Sequence, residues 1–251
     1  MLAAMDGGLL DHVVSAVERA PLQTEPFCHS YVEDVFPEDV YEELLSSLPA
    51  PRYFEPLYHK DALKPDGGTT RSTLTLDAAH MAELPARQRS VLERVAAVVG
   101  SDALRDALLL RYGDVLRERF GDEWRSVALE GTVKLQRDTP GYRIGVHPDT
   151  ADKVVLLQLY LARDDAHRSM GTSIYERVGP AAFDKVKTFA FGRNTGFSFA
   201  RTEESWHGVE PIDAERYSLT LNYRLRNQRL WRGFKKRVLR RARRFARRLA
   251  T

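Results

Sequence analysis

Hydrophobic and polar positions along this chain follow two periods, one in each half. In the first half apolar residues recur at helical spacing. Residues 9–19 read as an amphipathic helix. Residues 37–48 read as a second, with Pro37, Glu38 and Asp39 in its first turn and Pro49 ending it. Two more helices are predicted over about 85–99 and 101–119. Phe27 to Val35 suits a short strand or loop, and Arg71–Leu76 alternates as a strand does. Residues 50–70, with Pro, Gly and Asp, read as a long loop. From Val127 the period changes to two. Short strands are predicted at about 129–137, 142–147, 153–161, 172–175, 187–191, 196–200, 206–210 and 215–223, separated by turn sequences such as Thr139-Pro140-Gly141. Eight short strands after a helical half predict an α+β domain over 1–228. It would be a double-stranded β-helix, or jelly roll, over 127–228, backed by helical support in 1–126.

The end of the chain has its own pattern. Trp231, Phe234, Val238, Ala242, Phe245 and Leu249 recur at three and four, and Lys and Arg fill most of the remaining positions. Residues 229–251 are therefore predicted to be a basic amphipathic helix appended to the domain. This tail changes the meaning of the net charge of +3. It holds eleven Lys and Arg and no acid, so the remaining body has 27 basic and 35 acidic residues, about −8. Such a helix suits docking on its own domain or a subunit interface, on an acidic partner such as a carrier protein, or on an anionic membrane surface. Nucleic acid is not expected as a substrate, because an acidic body repels phosphate. The single cysteine, Cys28, excludes an intrachain disulfide and suits a reducing cytoplasm. No apolar run is long enough to span a membrane, and the first residues lack the pattern of a secretory signal. The expected location is the cytoplasm, with peripheral contact at a membrane surface through the tail.

Candidate chemistry concentrates in the β-rich half. His147-Pro148-Asp149 leads into the apolar run Lys153–Leu161. Residues i and i+2 of an extended chain point to one side, so His147 and Asp149 can reach one ion. Pro148 between them is tolerated at a strand end. His207 follows in Ser205-Trp206-His207-Gly208-Val209. Two imidazoles and one carboxylate form the set that holds non-haem Fe(II) on one face and leaves other positions open. A second HxD, His59-Lys60-Asp61, lies in loop sequence and is set aside. His12, His29, His80 and His167 have no such partner and read as surface or capping residues. Downstream, Arg216–Tyr223 alternates, with Arg216, Ser218, Thr220 and Asn222 on one face and Tyr217, Leu219, Leu221 and Tyr223 on the other. The polar face is either a solvated edge strand or the wall of a polar cavity. The histidines upstream favour the cavity, where Arg216 and Ser218 would grip a carboxylate.

Over roughly Thr132 to Tyr223 the chain resembles the 2-oxoglutarate/Fe(II)-dependent dioxygenases, in the layout of their prolyl 4-hydroxylase-like branch. The HxD…H motif of that family falls on His147, Asp149 and His207, its basic residue on Arg216, and its small hydroxyl two places later on Ser218. The tyrosine that often contacts the far carboxylate of 2-oxoglutarate falls on Tyr160. The resemblance implies Fe(II), 2-oxoglutarate and O2 as cofactor and co-substrates, with ascorbate as an accompanying reductant. It implies hydroxylation with release of succinate and CO2. A small molecule is the expected substrate: a sugar, an amino acid or a natural-product intermediate. The alternatives are a protein (prolyl-type) hydroxylase and a cupin-like protein that binds metal without catalysis. Candidates for the substrate side are Arg71, Arg137, Tyr142, Arg143 and Trp206.

Overall fold

The computed structural model describes residues 6–226, so the basic tail and every expectation placed on it lie outside the described residues. The chain opens with α1 (Gly7–Arg19), capped by the Asp6 carboxylate, which accepts from the Leu9 amide. Strands β1 (Leu22–Gln23) and β2 (His29–Glu33) precede α2 (Glu38–Ser46). The predicted long loop contains a short 3-10 turn and β3 (Glu55–Pro56), which pairs with β4 (Arg71–Thr75). Then come α3 (Ala78–Met81), α4 (Ala86–Val99), α5 (Asp102–Arg111) and α6 (Gly113–Phe120). The helix expected over 101–119 is thus two helices. Its break at Tyr112-Gly113 follows from packing. The Tyr112 hydroxyl donates to Ser198 in the sheet, and the Trp124 ring sits where a Cβ on Gly113 would lie 3.2 Å away.

The second half contributes β5 (Leu129–Asp138), β6 (Ile144–His147), β7 (Lys153–Tyr160), β8 (Ser173–Arg177), β9 (Phe183–Thr188), β10 (Thr195–Ala200), β11 (His207–Val209) and β12 (Arg216–Leu225). One prediction is displaced: the strand expected at 187–191 is formed by 183–188. The Phe189/Phe191 alternation that suggested it belongs to a connection turned inward, where both rings are buried and both amides bond to carbonyls of another segment, Thr172 and Arg168.

The strands form two antiparallel sheets, β1-β2-β10-β7-β12-β5-β4-β3 and β6-β11-β8-β9. From β5 to β12 the chain passes repeatedly between them, an order consistent with the expected jelly roll. One face of the large sheet packs on the helices through Leu157, Leu159, Leu219 and Leu221, against Val13, Leu44, Leu92 and Leu104. Fully burying each such side chain contributes roughly 1.5–3 kcal/mol. Its other face meets the small sheet across an aromatic layer that includes Phe27, Tyr160, Phe189, Phe197 and Phe199. β12 lies between β7 and β5, so it is no edge strand, and Arg216, Ser218 and Thr220 are buried on its inner face. The polar face is an interior wall. Among the described residues no helix is long and apolar enough to cross a membrane.

Candidate metal centre

The two histidines meet because β6 and β11 are neighbours. His147 ends β6, His207 begins β11, and the two are directly paired, with ring centroids 4.6 Å apart. Between them and the next pair, Val209 with Ile144, β6 takes one residue more than β11. Such a bulge re-aims the side chains beside it. Asp149 follows just past the strand end. Ligand atoms of His147, Asp149 and His207 lie within 4.8 Å of one another, the one such group of three among the described residues.

Hydrogen bonds set the state of each candidate ligand. His147 Nδ1 donates to the Gly145 carbonyl at 2.8 Å, and His207 Nδ1 donates to the Ser205 carbonyl at 2.9 Å. A carbonyl can only accept, so in each neutral ring the proton sits on Nδ1 and Nε2 keeps its lone pair for an ion. Burial pushes the His207 imidazole down to about 4, so it is neutral near pH 7. Burial alone would raise the Asp149 carboxyl, but the Lys153 ammonium and the His207 ring outweigh it and hold Asp149 below the usual carboxylate range. Lys153 Nζ bonds Asp149 Oδ1 at 2.5 Å. Asp149 Oδ2 is buried with no hydrogen-bond partner, an acceptor that a cation would satisfy. The segment carrying Asp149 is tied down from behind. Arg201 Nε donates to the Asp149 carbonyl, and Arg119 of α6 donates to the carbonyls of Ala151, Lys153 and Arg201.

On the inner face of the large sheet, Arg216 is 1% exposed. Its Nε donates to Asp138 Oδ2 at 2.9 Å, its Nη1 to the Met170 carbonyl, and its Nη2 is buried without a partner. Ser218 lies across from Tyr160 on β7 and from Gln136 on β5. Its hydroxyl accepts from Gln158 and donates to Gln136. The Tyr160 hydroxyl donates to Thr172 Oγ1 at 3.0 Å and accepts the Thr172 amide.

The substrate-side candidates scatter. Arg71 and Tyr142 join Arg216. Arg71 holds Asp138 by two bonds of 2.6 and 2.7 Å, and the Tyr142 ring lies 4.0 Å from the Arg71 guanidinium and 5.5 Å from that of Arg216. The other three are not brought to the site. Arg137 pairs with Glu215, because the pleat of β5 sends it to the opposite face from Asp138. Arg143 is exposed, next to the inward Tyr142. Trp206 packs on Phe183 and Arg177, on the other side of the strand from His207.

His29 also departs from expectation. It is no surface residue: alternation along β2 turns it inward, where it touches Phe27, Phe189 and Phe197. Burial lowers its pKa. The rival pair His59 and Asp61 stays in the surface loop, where Asp61 accepts from the Gly145 amide and no third ligand joins. Asp138, Thr172, Arg119 and Arg201 were not anticipated. Asp138 was legible in principle, since Lys134, Gln136 and Asp138 make a polar face opposite Leu135.

No protein-family model matches the sequence, and no curated protein is significantly similar to it. Solved structures are similar in fold. A Pseudomonas putida prolyl-4-hydroxylase superposes with a TM-score of 0.51 at 18% identity, over 87% of this chain and 100% of that one. A prolyl hydroxylase from Trichoplax adhaerens, in complex with a hypoxia inducible factor peptide fragment, gives 0.51 at 14% identity, over 86% and 89%. A prolyl 4-hydroxylase of Phytophthora capsici gives 0.52 at 19%, over 89% and 67%. This chain therefore shares the fold of the prolyl 4-hydroxylase structures.

Proposed function

We propose that this chain is an Fe(II)- and 2-oxoglutarate-dependent dioxygenase that hydroxylates a small molecule, such as a sugar, an amino acid or a natural-product intermediate. The observation that carries the reading is the convergence of His147, Asp149 and His207, with each ring's Nδ1 spent on a carbonyl. Two imidazole nitrogens and one carboxylate, with no fourth side chain in the group, fit Fe(II). When bound, Fe(II), 2-oxoglutarate and O2 supply oxidation of a C–H bond to an alcohol, coupled to formation of succinate and CO2.

The protein contributes position, charge and dryness. His147 and His207 present bare Nε2 atoms, and Asp149 presents its charge. Arg216 offers the unpartnered Nη2 to the distal carboxylate of the keto acid. Ser218 and the Tyr160–Thr172 pair stand beside it as further hydroxyls. Phe199, with its ring 4.8 Å from that of His207, and Phe197 stacked on Phe199 keep water from the inner side.

A second reading, a prolyl-type protein hydroxylase, is favoured by one observation. The His147 side chain is 32% exposed, so the centre opens toward the surface on the side of β6, where a peptide has room to approach. The test is a library of metabolites and peptides offered to the Fe(II)-loaded protein with 2-oxoglutarate, read by substrate-dependent succinate and O2 uptake. Succinate with metabolites supports the first reading and succinate with peptides the second. Iron binding without 2-oxoglutarate binding or turnover would leave a cupin-like metal-binding protein and overturn both.

A further inference from the structure

Arg216 is already in an ion pair, and a guanidinium neutralised by its own aspartate attracts a carboxylate poorly. Asp138 is fully buried and directly across from Arg216, and it is also directly across from Arg71 on the other side. Arg71 takes both Asp138 oxygens, through Nε and Nη2, while Arg216 shares only Oδ2. Burial would raise the Asp138 carboxyl, but the two guanidiniums hold it below the usual carboxylate range, so it is an anion. Two cations and one anion leave one uncompensated positive charge in the protein interior. Buried charge is costly unless paired. The Tyr142 ring packs against both guanidiniums, and within this cluster Arg216 Nη2 is buried without a partner.

We propose that Arg71 is a specificity-determining residue for the co-substrate: by holding Asp138 bidentately it releases the charge of Arg216, so that the three side chains form one anion site of net charge +1 that selects a keto acid with a second carboxylate. Asp138 is the positioning residue, orienting Arg216 through Nε. The inference rests on the reading of Arg216 as the co-substrate arginine. It adds that the affinity is set by a charge balance between residues on β4, β5 and β12, two of which need not touch the ligand.

The test is equilibrium binding to the Mn(II)-loaded full chain, without turnover, using 2-oxoglutarate and, as the probe lacking the distal carboxylate, pyruvate. The wild type is expected to favour 2-oxoglutarate. If it binds neither keto acid, the proposed function fails before the arginine network is tested. Arg71→Gln makes the site neutral. Removing one buried unit charge at this range, through an effective dielectric of ~20, should weaken 2-oxoglutarate binding about 100-fold and leave pyruvate binding unchanged. Arg71→Gln combined with Asp138→Asn returns the net charge to +1 and should recover 2-oxoglutarate binding to within about tenfold of wild type. Should the single variant not fold, the double variant is read against the wild type, and a loss of 2-oxoglutarate binding beyond about tenfold would overturn the proposal. A double variant that binds 2-oxoglutarate no better than the single one, or a folded Arg71→Gln that binds it as the wild type does, would overturn the proposal. Equal loss of pyruvate and 2-oxoglutarate would also overturn it, reducing Arg71 to a structural staple between strands.

Discussion

Gly208, the residue after the second histidine, is where the candidate metal site can be disturbed without touching a candidate ligand. It lies in the bulged stretch where β11 passes β6, and a Cβ built on it would lie 2.8 Å from the Ile144 carbonyl oxygen and 3.4 Å from the Gly145 carbonyl. Both obstacles are backbone, so no side chain can swing away. Gly208→Ala must therefore push β6 back by several tenths of an ångström. Overpacking of this kind costs roughly 1–3 kcal/mol. The displaced carbonyl of Gly145 is also the acceptor that fixes the His147 ring. Disturbing such a partner typically weakens metal binding about 10- to 100-fold. The assay is anaerobic Fe(II) titration by calorimetry, with urea unfolding of the apo protein alongside. Gly145→Ala is the control, because its Cβ, on the facing strand β6, would meet only the Asp61 carboxylate at an ordinary 3.9 Å. Gly208→Ala should lose affinity and stability while Gly145→Ala keeps both. Unchanged affinity in Gly208→Ala, or equal loss in the two variants, would refute the claim that close strand packing sets the ligand geometry.

Three other outcomes follow from the same contacts. Arg119→Met keeps the aliphatic stem but removes the donors to Ala151, Lys153 and Arg201. It should cost about 1–3 kcal/mol and speed amide exchange across 149–153, and unchanged exchange there would show that the loop holds itself. His59→Ala should leave Fe(II) affinity unaltered by titration, and lost binding would revive the loop pair. Acid sensitivity is the third. The folded Asp138 carboxyl is held below its unfolded value of ~3.9, so its share of stability is complete above about pH 4 and disappears as pH falls through the depressed folded value. Urea midpoints between pH 7 and 3 should fall at the acid end in the wild type and less steeply in Asp138→Asn; parallel slopes would mean that other carboxylates govern acid unfolding.

The sequence by itself determined most of the elements and one pair of candidate ligands. Short alternating or apolar runs after Val127 placed seven of the eight strands close to their true positions, because a strand with one polar face alternates and a strand buried on both faces, such as β7, reads as a continuous apolar run. His147 and Asp149 were readable together because two residues along an extended chain share a side. Polarity on one face of β12 marked an interior wall only once histidines were seen upstream. Tertiary structure decided everything that depends on which strands become neighbours. The β6–β11 pairing brings His207 to His147, and its bulge aims them. The order β4-β5-β12 gives Arg71 and Arg216 one aspartate, which neither local spacing nor charge count could assign. Period two also leaves open which face turns inward, so Arg137 turned away from the site while His29 was drawn into the aromatic layer. Spacing along the chain constrains neighbours within a strand, whereas partners across a sheet are chosen by the packing of the whole domain.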